Sequence, residues 1–306
     1  MSNKRNTLLT RIAQGGLMGA ANTVPGVSGG TLALMFGFYE RLINALGDGA
    51  RAATQMLRGD LKGALTGLKA VEWNLLLPLL AGAGAVVIVV AGPLERSLET
   101  HPENMAGLFL GLVIGSLIIS WRLMPTWNPR LLTVVTLVGT SVFAGLGWQS
   151  GPLNDPSPLL LFAAGAIAIC AMILPGLSGS FLLLMFGLYE AVLTMVDQRL
   201  MGDLVIFGFG AALGLAAFAT LLSRLLKRHH DPMLAVLLGL MLGSLRVLWP
   251  WPHGVGYTSP NDTQTFDGTG LQWPTQGTTL WPLLLAGGAL MVVLGVDALA
   301  SRQNKA

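Results

Sequence analysis

Long apolar runs separated by short charged or turn-forming clusters set the pattern of this chain. A full membrane crossing takes about 20 predominantly apolar residues. By that rule six spans are expected, near residues 74–94, 104–124, 130–149, 203–223, 232–250 and 279–299. Two further regions, 8–46 and 158–197, are long enough for two crossings each, but Pro-Gly-x-Ser-Gly interrupts each near its middle. They are either pairs of full spans, giving ten segments in all, or re-entrant hairpins that enter and leave on one side. Non-helical backbone at membrane depth is tolerated only where protein covers it or water reaches it.

Composition agrees with an all-α polytopic membrane protein. Of 306 residues 53% are hydrophobic and 11% charged, against about 25% charged in an average soluble protein. Positive charge then orients the chain, because cytoplasmic loops retain Lys and Arg. With both termini inside, only Arg96, Arg199 and Arg246 fall outside. The polar stretch 251–278, which contains neither Lys nor Arg, becomes an external loop. The N-terminus shows no small-residue cleavage site, so no signal peptide is expected. A net charge of +3 with no basic face argues against nucleic-acid binding. Cys170 is a single cysteine and the four histidines (His101, His229, His230, His253) fall in expected loops, so neither a disulfide nor a metal site is expected. There is no Walker sequence, and no cofactor is expected.

The chain also repeats itself. Residues 25–40 (PGVSGGTLALMFGFYE) and 175–190 (PGLSGSFLLLMFGLYE) share 11 of 16 positions at an offset of 150. A second pair, LGLVIGSLIISW at 110–121 and LGLMLGSLRVLW at 238–249, shares 7 of 12 at an offset of 128. The difference of 22 arises because residues 41–72, a basic amphipathic loop expected at the cytoplasmic interface, are shortened in the second half. The halves are therefore 1–150 and 151–306, each a broken segment plus three spans. An odd number of crossings inverts the second copy, and inverted copies of a broken helix are the architecture of secondary transporters.

The broken segments offer a chemistry. Pro25 lacks an N–H and Gly26 tolerates positive φ, so one half-helix can stop and another start within a few residues. Ser28, Gly29, Gly30 and Thr31 then form a helix start whose free amides and dipole favour an anion such as phosphate. Pro175, Gly176, Ser178, Gly179 and Ser180 repeat it, and the two starts are expected to face each other across one ligand. The competing reading is packing, since small residues four apart also let membrane helices touch. Glu40 and Glu190 close the motifs, each after a tyrosine (Tyr39, Tyr189), and are candidates for proton coupling or gating. Arg246, near the outer end of its span with Trp249 and Trp251, is placed either to meet an anionic headgroup or to anchor at the interface. Asn22 is a candidate for capping or bridging helices and is counted with the substrate-binding residues.

The strings QGGLMGAANTVPGVSGGTLALMFGFYERLI and AMILPGLSGSFLLLMFGLYEAVL resemble the paired signatures of the bacterial polyprenyl-phosphate transporter family, once a membrane family of unknown function. The resemblance covers residues 8–299. It implies flipping of undecaprenyl phosphate, the lipid carrier of peptidoglycan and other envelope polymers, from the outer to the inner leaflet of the bacterial cytoplasmic membrane, by a transporter and not an enzyme. Asn22 departs from the pattern, standing where many members carry Asp. Undecaprenyl-pyrophosphate phosphatases share inverted repeats and a Pro-Gly-x-Ser motif, but there Arg follows the Ser and a glutamate pair precedes it. Here Gly29 and Gly179 follow, and residues 14–22 contain no acid. A small-anion transporter using the same helix starts is the other alternative.

Overall fold

The computed structural model describes residues 2–22, 28–124, 126–147, 153, 155–251, 271–274 and 280–303. Pro25 and Gly26 lie outside the described residues, as does most of the stretch 251–278. Every regular element among them is a helix. The first half holds α1 (Ser2–Asn22), α2 (Gly29–Met35), α3 (Tyr39–Leu57), α4 (Leu61–Ala70), α5 (Trp73–Thr100), α6 (Pro102–Arg122) and α7 (Pro129–Gly145). The second holds α8 (Pro158–Ile173), α9 (Gly179–Met185), α10 (Tyr189–Asp197), α11 (Met201–Arg228), α12 (His230–Ser244) and α13 (Leu280–Gln303).

Local chemistry fixes the boundaries. α6, α7 and α8 all begin with proline in the first turn, where a missing N–H costs nothing. Asn128 and Ser157 cap the latter two by accepting from the amides of Leu131 and Leu160. Windows within α5, α6, α11 and α13 are long and apolar enough to cross a membrane. The expected spans at 130–149 and 232–250 form shorter helices, α7 with 17 residues and α12 with 15. Leu245, Val247 and Leu248 are apolar but lie in a turn, so hydropathy overstated the length of α12.

Each motif region carries two breaks where its sequence announced one. After Pro-Gly-x-Ser-Gly comes a seven-residue helix, and that helix ends at Gly37 or Gly187, with φ of 72° and 69°. Gly37 N donates to Leu34 O (3.0 Å) and Phe38 N to Ala33 O (3.1 Å). Gly187 N to Leu184 O and Leu188 N to Leu183 O, both 2.8 Å, repeat the pattern. This is a Schellman cap, which needs a left-handed residue just past the helix and so selects glycine. The repeated Phe-Gly is thus a helix stop, and Tyr39-Glu40 and Tyr189-Glu190 open the next helix. A carboxylate in a first turn is favoured by the dipole. α9 and α10 meet at 112°, as a broken span or a re-entrant loop does.

The long helices assemble as four close pairs: α1 with α5, α8 with α11, α6 with α13, and α7 with α12. The first two pairs lie within a half; the last two join one half to the other. Small residues set their closeness. A methyl group on Gly107, Gly111 or Gly115 of α6 would strike Pro282, Ala286 or Val293 of α13, a three-step small-residue seam along one face. The central core draws on both halves, with Tyr39, Ile43 and Leu75 packed in one cluster with Leu222, Leu237, Leu238 and Met241. Residues 41–72 are helical throughout much of their length: α3 packs on α11, and α4 leaves Leu61, Leu65 and Leu68 exposed beside Lys62 and Lys69.

Candidate functional site

The two motif segments meet. Ser28, 1% exposed, caps α2 by accepting from Gly30 N (3.1 Å), and its hydroxyl donates to Met172 O at the end of α8 (3.1 Å). Thr31 Oγ1, equally buried, accepts from Gly176 N of the second motif at 2.8 Å. Tyr39 OH donates to Ile173 O at 3.3 Å. Gly30 lies so close to Ile173 O that a Cβ there would overlap it. Gly176, with φ of 83°, leaves no room for a side chain, since a Cβ would stand 2.7 Å from Met241 Cα. Close packing and buried hydroxyls coexist at this junction, so the two sequence-based readings are not exclusive.

The two helix starts differ in this state. At the first, every early donor is taken: Gly29 N donates to Asn22 Oδ1 (2.6 Å), Gly30 N to Ser28 Oγ and Thr31 N to Ser28 O (3.0 Å). Asn22 is a genuine cap, and aspartate there would supply the same acceptor. At the second, Ser178 makes no capping bond and pairs instead with Ser180, Oγ to Oγ at 2.9 Å. The amides of Gly179, Ser180 and Phe181 have no acceptor among the described residues.

Beside the junction lies an apolar cavity of about 270 Å³ between the pairs α1/α5 and α6/α13, floored by α2. Thr31 and Ser116 are its polar linings, among Ala20, Leu32, Phe109 and Val293. Leu17, Val292 and Val296, at its rim, are exposed on the outer surface of the bundle.

Tyr39 and Glu40 line a second cavity, about 330 Å³, with Arg41, Ser120 and His230. Glu40 Oε1 stands 2.7 Å from His230 Nε2, and His230 Nδ1 2.9 Å from Asp231 Oδ1. Hydrogen bonding to Asp231, opposed in part by desolvation and joined by a weaker contribution from Glu40, holds His230 above its ordinary range. Arg41 forms an ion pair with Glu72, whose carboxyl the guanidinium holds below the usual range. Among the described residues Glu190 has no such partner. Sequence reasoning missed His230 because its partner is 190 residues away. At the 128 offset His101 aligns with His229, so both halves place a histidine at the corner before α6 or α12, but His230 itself aligns with Pro102 and is not marked by the repeat.

Arg246 lies elsewhere. Its Nη1 donates to Phe143 O (3.1 Å) and its guanidinium stands 5.1 Å from the Phe143 ring centroid. It lines a third cavity, about 510 Å³ and mostly apolar, with Phe143, Trp249 and Trp273. No group of three or more metal-ligating side chains occurs among the described residues.

The chain is similar to proteins of known name. The polyprenyl-phosphate transporter of Vibrio cholerae serotype O1 is 32% identical over 320 residues, covering 99% of this chain and 100% of that protein. The polyprenyl-phosphate transporter of Staphylococcus aureus is 27% identical over 259 residues, 78% of this chain and 85% of that one. No solved structure matches. The profile of the VCA0040-like, undecaprenyl phosphate translocase-like family matches residues 18–265, and on that match and the full-length similarity to the Vibrio protein, the chain belongs to this family.

Proposed function

We propose that this protein carries polyprenyl phosphate, undecaprenyl phosphate in particular, from the outer to the inner leaflet of a bacterial cytoplasmic membrane, as an inverted-repeat flippase with both termini inside. The observation that carries the proposal is the junction: two buried motif segments joined through Ser28, Thr31 and Gly176, with an apolar cavity reaching Thr31 from the surface of the bundle. A flippase for such a lipid needs a polar route for the phosphate and an apolar opening that leaves the tail in lipid. Neutral amides and hydroxyls suit the head, because they bind phosphate without a full countercharge that would trap it. The apolar cavity suits the tail.

In this reading the structure is a closed state. The first helix start is occupied by Asn22 and Ser28, so the headgroup reaches it only when those bonds exchange for phosphate oxygens. The second start, at Ser178, Gly179 and Ser180, is the receptive one. Arg246, beside Trp249 and Trp273, receives the headgroup at the outer face. Glu40 couples the cycle to protons through its contact with His230, with Glu190 as its counterpart in the other half.

The test is a leaflet-resolved assay in proteoliposomes that follows undecaprenyl phosphate in one leaflet, with phosphate release read from a parallel pyrophosphate sample. Wild type moves the monophosphate and releases no phosphate; Ser28→Ala/Ser178→Ala moves none. Phosphate release by wild type makes the protein a phosphatase and sinks the proposal. Glu40→Gln is expected to lose dependence on the pH gradient while still binding lipid; unchanged gradient dependence removes the coupling role.

A further inference from the structure

The cavity at the start of α3 adjoins the motif junction, sharing Tyr39 with it, and its lining has an anion's chemistry. Four features converge there. Arg41 and His230 are two cationic donors on its wall. The 19-residue helix α3 begins on it, and the amides of Tyr39, Glu40 and Arg41 have no acceptor among the described residues. Ser120, 4% exposed and also lining the cavity, carries a buried Oγ with no hydrogen-bond partner among the described residues. A buried hydroxyl left without a partner is uncommon and asks for one. The volume, about 330 Å³, is many times the roughly 30 Å³ share of one water.

We propose that this cavity is a second phosphate station, in which Arg41, His230, Ser120 Oγ and the first-turn amides of α3 hold a phosphomonoester, and that Glu40 is its built-in competitor. The proposal rests on the transport reading for the carrier of that phosphate, since a lipid headgroup and free inorganic phosphate present the same oxygens. In the closed state the Glu40 carboxylate already sits on His230 Nε2 at 2.7 Å, as a phosphate oxygen would. The charges around His230 are Glu40 on α3, Asp231 on its own helix and Arg41 across the cavity. Arg41 is itself held by Glu72. An arriving phosphate displaces Glu40 from His230, and its departure lets Glu40 return, so the carboxylate limits how long the anion stays. Glu40 and phosphate both make charge-assisted bonds to His230, but a phosphomonoester carries close to two negative charges and three acceptor oxygens, so it can also engage Arg41, Ser120 and the first-turn amides, which makes the exchange feasible.

The experiment is calorimetric titration of the full-length protein in zwitterionic nanodiscs with two probes, inorganic phosphate and geranyl phosphate. At least one is expected to bind to wild type. Binding of inorganic phosphate identifies a free-anion source, and binding of geranyl phosphate alone identifies the headgroup; either supports the station. Ser120→Ala and His230→Gln each weaken that binding about tenfold, as expected for one hydrogen bond to a charged group, and Glu40→Gln tightens it. Ser120→Ala removes the unpaired hydroxyl, so it keeps the fold and protects the test against a misfolded His230→Gln. Binding by neither probe, or all three variants within twofold of wild type, overturns the station. Leaflet transport by the same wild-type preparation separates the two ideas. Transport with variant-insensitive binding removes the station alone, and variant-sensitive phosphate binding without transport removes the transport reading alone.

Discussion

Thr31→Val tests the junction with the least collateral change. Valine nearly matches threonine in volume, so no cavity opens at a residue that is 1% exposed. What disappears is the acceptor for Gly176 N at 2.8 Å. That amide cannot turn to another partner easily, because Gly176 is fixed at φ 83° with Met241 backbone against it. Leaving a buried amide unpaired costs about 1–3 kcal/mol in a soluble protein. Hydrogen bonds between membrane helices measure lower, averaging ~0.6 and reaching ~1.7 kcal/mol, because the unfolded chain in the bilayer finds partners too. Burial and fixed geometry put this bond toward the upper end, so the expected loss is about 1–1.5 kcal/mol. The assay is reversible unfolding in mixed micelles, with leaflet transport measured alongside. Thr31→Ser keeps the oxygen and is expected within about 0.5 kcal/mol of wild type, the usual span of a change that leaves its contacts intact. If Thr31→Val is as stable as wild type and transports as fast, the contact between the motifs carries neither stability nor function, and the junction is refuted as a site.

Gly176→Ala combines a left-handed residue with backbone contact, and is expected to lose about 1–2 kcal/mol from strain alone, read as a lower melting temperature in detergent. Asn22→Asp keeps the acceptor for Gly29 N and is expected to leave stability unchanged or raised, whereas Asn22→Leu loses about 1 kcal/mol, the ordinary worth of a cap. His230 has its pKa raised by Asp231 and Glu40, so its contribution is complete below the ordinary histidine range and is lost as pH rises through the raised value. Melting temperature followed upward from pH 5 is expected to fall through that window in wild type and to stay flat there in His230→Gln. Glu72, held low by Arg41, has the opposite sign: its contribution is present at neutral pH and fades as pH falls through the lowered value, and for so exposed a pair it is worth about 0–1 kcal/mol.

Much of the fold is legible because apolar length and internal similarity are properties of the sequence itself. Helices occupy all six stretches expected as spans, four of them long and apolar enough to cross a membrane, and the 16-residue repeat marks the segments that meet. Hydropathy misjudges α12 because Leu245, Val247 and Leu248 are as apolar in a turn as in a helix. The second break, at Gly37 and Gly187, is written in both repeats but is recognisable as a stop only once the Schellman bonds are seen. The site divides the same way. Ser28 and Thr31 are marked by their motif, but that Ser28 bonds a carbonyl 144 residues away is a tertiary fact that no local pattern encodes. His230 carries no motif, and Ser120, although inside the repeated block 110–121, aligns with Leu248 and is not marked by the repeat. Their interest comes from what surrounds them, a carboxylate on another helix for one and nothing for the other.

The exchange of partners between halves has a consequence for how the chain is made. α6 leaves the ribosome long before α13, yet its seam of Gly107, Gly111 and Gly115 is complete only when Pro282, Ala286 and Val293 arrive. α7 likewise waits for α12. During synthesis the first half therefore stands in the bilayer with glycine-lined faces open to lipid, and the last helix acts as the closing piece of a clasp.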